Sequence, residues 1–81
     1  MKYVYLIHRI FYPKEKYIGI TSAVNDRLKV HNEGRSPHTT KFKPWKLVAY
    51  LAFSSDERAR EFEKYLKSGS GRAFAKKRLW D

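Results

Sequence analysis

An 81-residue chain with 18 Lys and Arg, 8 Asp and Glu and no cysteine is long enough for one compact domain, 1–81, near the size at which folds often need disulfides or metals. Without cysteine, a disulfide framework and a thiolate metal site are excluded, and a reducing compartment, by default the cytoplasm, is the expected setting. The net charge of +10 concentrates polyanions, so nucleic acid is the leading partner class, whereas a membrane is disfavoured because no cationic helix has an uninterrupted apolar face.

The N-terminal MKYVYLIHRI has too short an apolar run for a signal peptide, and its aromatic and β-branched residues at 3–9 predict a strand instead. Pro13 and the charged PKEK predict a turn, and YIGI at 17–20 completes a hairpin. Thr21 or Ser22 offers an N-cap to a helix over 22–33, with Asp26 near its positive end and Gly34 as its stop. RSPHTTKFKP at 35–44 reads as a loop able to rest on phosphates. WKLVAYLAF at 45–53 reads as a third strand buried on both faces, far short of the roughly 20 residues that span a membrane. Ser54 or Ser55, followed by Asp56 and Glu57, caps a helix over 56–67, and SGSG at 68–71 breaks it before a last basic helix, RAFAKKRLW. The order predicts an α+β domain, a small antiparallel sheet packed against helices.

Two helices turn polar groups inward. At about 100° per residue, Ala23, Val24, Leu28 and Val30 span an arc from about 80° to 240°, and Arg27 and His31 fall inside it at about 140° and 180°. On the second helix Glu63 stands within about 40° of Ala59 and 60° of Leu66. A carboxylate there is paired, metal-bound or at a cleft rim, because an unpaired buried charge costs several kcal/mol, roughly. Each residue alone is more often structural, and an Arg27–Glu63 ion pair with a neutral His31 is the plain alternative. Three on two helices, in a basic protein rich in tyrosine, point to a site. On the strands, Tyr3, Tyr5 and Ile7 share a face, as do Tyr17 and Gly19, so two phenols can meet across the hairpin, and Gly19 opens room for another group or a ligand. Tyr12, Tyr50 and Tyr65 read as ordinary packing.

These pieces together, YVY at 3–5, YIG at 17–19, the GITS that overlaps it, the RL and HN of DRLKVHN, PWKLV at 44–48 and AREFEKYLKSGSGRAF at 59–74, resemble the GIY-YIG endonuclease superfamily, in particular small single-domain members related to the N-terminal nuclease domain of excinuclease ABC. The resemblance implies a three-stranded antiparallel sheet flanked by helices, and metal-dependent cleavage of DNA phosphodiesters, with repair or recombination as the setting. By position, Tyr5 and Tyr17 match the two motif tyrosines, Arg27 the helix arginine, His31 the histidine one turn later and Glu63 the ligand of Mg²⁺ or Mn²⁺. One departure is that the first motif reads YVY, with Tyr3 where the family name has glycine.

Phosphodiester hydrolysis needs an activated water, stabilisation of charge at phosphorus and help for the leaving oxygen. Tyr5 is the expected general base, relayed or assisted by His31, while Tyr17 orients the water or the phosphate, and the two phenols' roles stay open to exchange. Arg27 supplies paired donors to nonbridging oxygens. Lys41, Lys43, Arg72, Lys76, Lys77 and Arg78 are the expected nucleic-acid contacts. The rival readings are an accessory module that binds nucleic acid without cutting it and an RNA-associated protein of ribosomal type; neither has a use for an inward Glu63.

Overall fold

The computed structural model describes residues 1–33 and 44–80. Three strands, β1 (Lys2–Arg9), β2 (Lys16–Thr21) and β3 (Trp45–Phe53), and three helices, α1 (Val24–Asn32), α2 (Asp56–Leu66) and α3 (Gly69–Arg78), follow in the order β1-β2-α1-β3-α2-α3. The sheet is antiparallel throughout, with β1 between β2 and β3. The α+β class and the antiparallel sheet among helices are as the sequence predicted.

Burial on both faces belongs to β1, where Val4 to His8 are all buried, and the expectation that 45–53 holds that position is corrected. β3 is an edge strand that exposes Lys46, Tyr50 and Ala52. The alternation of a strand divides the core in two. Val4 and Leu6 pack with Ala59, Leu66 and Ala75 of α2 and α3, and Tyr5 and Ile7 pack with Trp45, Val24 and Leu28 on the α1 side. A register shift between Leu6 and Ile7 marks the β1–β3 pairing. Tyr3 pairs regularly with Thr21 and Ala52, so a tyrosine in the family's glycine position leaves the strand intact.

The caps refine two boundaries. α1 has Ala23 at its N-cap with no side-chain cap bond, because Thr21 spends its hydroxyl one step earlier, accepting from the Ala23 N–H at 3.1 Å; neither Thr21 nor Ser22 caps the helix. Asp26 in the first turn still favours the positive helix end. The Gly34 stop and most of the 35–44 loop lie outside the described residues. Ser55 caps α2 as expected, accepting from the Arg58 N–H at 3.3 Å.

SGSG is not a loop between helices: Lys67 and Ser68 make the break, Ser68 caps α3 by accepting from the Gly71 N–H at 3.2 Å, and the following residues are the first turn of α3. A Cβ on Gly71 would run into the backbone of Tyr65 and Leu66, so glycine is what lets α3 cross so near the end of α2. Among the described residues no helix is long and apolar enough to cross a membrane.

Candidate active site

β1 and α1 meet at a buried hydrogen bond. Tyr5, 1 % exposed, and His31, 0 % exposed, bring Tyr5 Oη to 2.8 Å from His31 Nε2. The helix supplies His31 and, one turn earlier, Arg27, whose side chain hydrogen-bonds the Tyr5 phenol. The hairpin supplies Tyr17, whose ring centroid lies 6.3 Å from that of Tyr5 and 5.1 Å from that of His31. The inward arc of α1 thus delivers its two basic side chains to the two tyrosines, as the helical wheel required.

Burial sets the charge states. Loss of water pushes the Tyr5 phenol above its ordinary value of about 10; the hydrogen bond from Arg27 opposes the shift, Tyr17 adds to it, and the Arg27 charge pulls down while that of Glu63 pushes up. His31 is held below the usual imidazole range, first by burial and then by the Arg27 charge. A protonated phenol therefore faces a neutral imidazole. The Tyr5 phenol and His31 Nε2 share this hydrogen bond, and the imidazole tautomer decides which of them donates.

Of the two occupants open to the space at Gly19, another group of the protein or a ligand, the structure has the first. The cross-strand partner of this residue is Tyr5, and a Cβ on Gly19 would stand 2.5 Å from Cζ and 2.8 Å from Cε1 of that ring, with Oη nearer still. Glycine seats the Tyr5 phenol under His31. The missing side chain makes room for the site's own tyrosine.

Two further residues build the site without having been assigned a role from sequence. Trp45, 4 % exposed, closes the cluster with its ring centroid 6.4 Å from those of Tyr17 and His31. Asn32 fixes that wall: its amide accepts from the Trp45 N–H and donates to the Trp45 C=O at 3.1 Å. The signal was present in HN and PWKLV, but Asn32 falls on the polar side of the helical wheel, where a surface asparagine is the ordinary reading.

Glu63 enters from α2, which packs against the opposite face of β1, and touches the cluster by its field at Tyr5. Its side chain, 22 % exposed, pairs with Lys67 at 3.4 Å, so the ion pair runs along α2. Among the described residues no three His, Cys, Asp or Glu side chains gather as a metal site. A single partly exposed carboxylate nonetheless suits a hard divalent ion that keeps most of its waters, and Glu63, 22 % exposed, is such a group. Arg72 and Lys76 line a cleft of about 650 Å³ that also includes Tyr17 and Lys67. Lys77 and Arg78 are exposed on α3 away from that lining, and Lys41 and Lys43 lie outside the described residues.

A three-stranded antiparallel sheet carrying two tyrosines, with an arginine and a histidine from α1 over one face and a carboxylate on α2, makes a small α+β domain with a candidate active site. Residues 1–78 match the GIY-YIG catalytic domain, and the chain belongs to that family. Comparison with curated proteins finds no match.

Proposed function

We propose that the protein is an endonuclease that hydrolyses phosphodiester bonds in DNA with the help of Mg²⁺ or Mn²⁺, in a reducing cytoplasmic setting where branched or flapped DNA arises in repair or recombination. The observation that carries the reading is the Tyr5–His31 hydrogen bond of 2.8 Å beside Arg27, within the field of Glu63. A structural core has no need of a buried phenol and imidazole poised to exchange a proton under a guanidinium.

In this reading Tyr17, the half-exposed phenol, orients the attacking water. Tyr5 takes the water's proton as its own proton passes to His31, so the phenolate that burial opposes never forms as a free species. Neutral His31 is the final acceptor. Arg27 directs its donors at the nonbridging oxygens, where negative charge grows in the transition state. Glu63 would hold the divalent ion, which supplies charge stabilisation at the leaving oxygen when bound. Lys67 releases Glu63 for that role at little cost, since a half-exposed pair of this kind contributes about 0.3–0.5 kcal/mol.

The test incubates the protein with labelled duplex, flapped, branched and single-stranded DNA in Mg²⁺, in Mn²⁺ and in chelator, beside Glu63→Gln. Cutting that requires the ion and disappears in the variant, with an unchanged thermal melt, is the expected result. Full cutting by Glu63→Gln would overturn the role of Glu63, and binding without cutting on every substrate would leave the accessory module as the function.

A further inference from the structure

The cleft of about 650 Å³ beyond Tyr17 is lined by Lys14, Lys16, Lys67, Arg72 and Lys76, and no carboxylate belongs to its lining. Lys67 pairs with Glu63 at 3.4 Å, and with the other four cations it leaves the cleft an excess of positive charge that attracts a polyanion. Trp80 completes the wall. It lies two residues beyond the stretch that matches the family, is held by a hydrogen bond from its N–H to the Ala75 C=O at 2.9 Å, and keeps part of its ring in solvent. Lys16 Nζ stands 5.1 Å from the ring centroid, a cation that a base stacking on that face displaces toward its own phosphate.

Shape narrows the ligand. A cleft of this volume is the size that holds a drug-like molecule, room enough for a short unpaired stretch to lie within it. A basic groove with an aromatic platform is the arrangement that binds single strands, phosphates on the cations and bases on the ring. Tyr17 belongs both to this wall and to the aromatic cluster around His31, so a strand lying in the cleft ends at the candidate active site.

We infer that the cleft binds an unpaired DNA strand adjoining the bond to be cut, with a base stacked on Trp80. The inference deepens the nuclease reading and rests on it. It makes the substrate one with a frayed, flapped or single-stranded segment.

The test measures fluorescence anisotropy of a labelled 12-nucleotide single strand, and of the duplex of the same sequence, in chelator, with Trp80→Leu and Trp80→Phe. Both variants keep an apolar side chain against the core, and only phenylalanine keeps a π face. Loss of one stack weakens single-strand binding about tenfold in Trp80→Leu and less than about threefold in Trp80→Phe, with duplex binding within about twofold. Replacing Arg72 and Lys76 together by Gln lowers the single-strand salt slope by about 1.4, at about 0.7 per phosphate contact.

Equal losses in Leu and Phe, equal losses on duplex and single strand, or tighter binding of the same sequence as RNA would overturn the inference. Cleavage in Mg²⁺ is scored separately. Substrates cut without the Trp80 pattern would refute the cleft assignment alone, and the Trp80 pattern without cutting would refute the nuclease reading and leave a strand-binding cleft.

Discussion

Gly19→Ala joins the fold to the chemistry in one methyl group. The added carbon would meet Tyr5 Cζ at 2.5 Å, whereas carbon atoms rest at about 3.5–4.0 Å, so ring and strand must separate by about an ångström. Tyr5 has nowhere easy to go: it is 1 % exposed and packed among Ile7, Trp45 and Leu28. Overpacking of this kind costs about 1–3 kcal/mol, which in a domain of this size lowers the melting temperature by at least about 4 °C. An ångström of retreat also stretches the 2.8 Å bond to His31 beyond hydrogen-bonding range, and a misplacement of that size costs about 10²-fold in rate. Circular-dichroism melts and cleavage rates are measured for Gly19→Ala, for Tyr5→Phe and for the double variant. Removing Oη relieves the closest contact, so the double variant loses less stability than the sum of the singles by more than about 0.5 kcal/mol. A Gly19→Ala protein that melts within about 1 °C of the parent and cuts at the parental rate would refute the packing and the proton path together.

Two other outcomes follow from the same geometry. His31 titrates below the usual imidazole range in the fold and near about 6.5 when unfolded, so its contribution to stability is present above about pH 6.5 and is lost as the pH falls through the lower folded value. The cleavage rate falls through that same acidic window as His31 gains its proton; a His31 NMR titration midpoint at or above about 6.5 would contradict both. Asn32→Ala removes two hydrogen bonds from the Trp45 backbone and should cost about 1–3 kcal/mol in urea denaturation, with the indole emission of Trp45 shifting as its wall loosens; an unchanged midpoint would show that the clamp holds nothing.

Periodicity carried the reading where one pattern had one explanation. The 3.6-residue wheel placed Arg27 and His31 inward, and the hairpin brought Tyr5 and Tyr17 side by side. It failed where two local devices compete. Thr21 and Ser22 both look like caps, and a local turn in which the Thr21 hydroxyl accepts from the Ala23 N–H competes with capping. SGSG has the composition of a loop, but Lys67 and one serine make the break and Gly71 is needed for helix contact. YVYLI and LVAYLAF are both unbroken apolar runs, and strand order, which no single run encodes, decides that the first is central. Glu63 was readable as anomalous but not as lying across the sheet from His31, because its helical wheel gives an angle and not a layer. Gly19 announced an empty space whose tenant is named only by the register that opposes it to Tyr5.

The central strand has a consequence for the life of the chain before it is folded. Tyr5 and Val4 are neighbours that face opposite layers, and the phenol acquires its partners only when α1 has covered one face, α2 and α3 the other, and Trp45 has arrived from β3. A nascent or half-unfolded copy holds every side chain of the candidate site and none of their arrangement. The arrangement is therefore an all-or-none property of the assembled domain, and the cooperativity that folds intact copies withholds it from damaged ones.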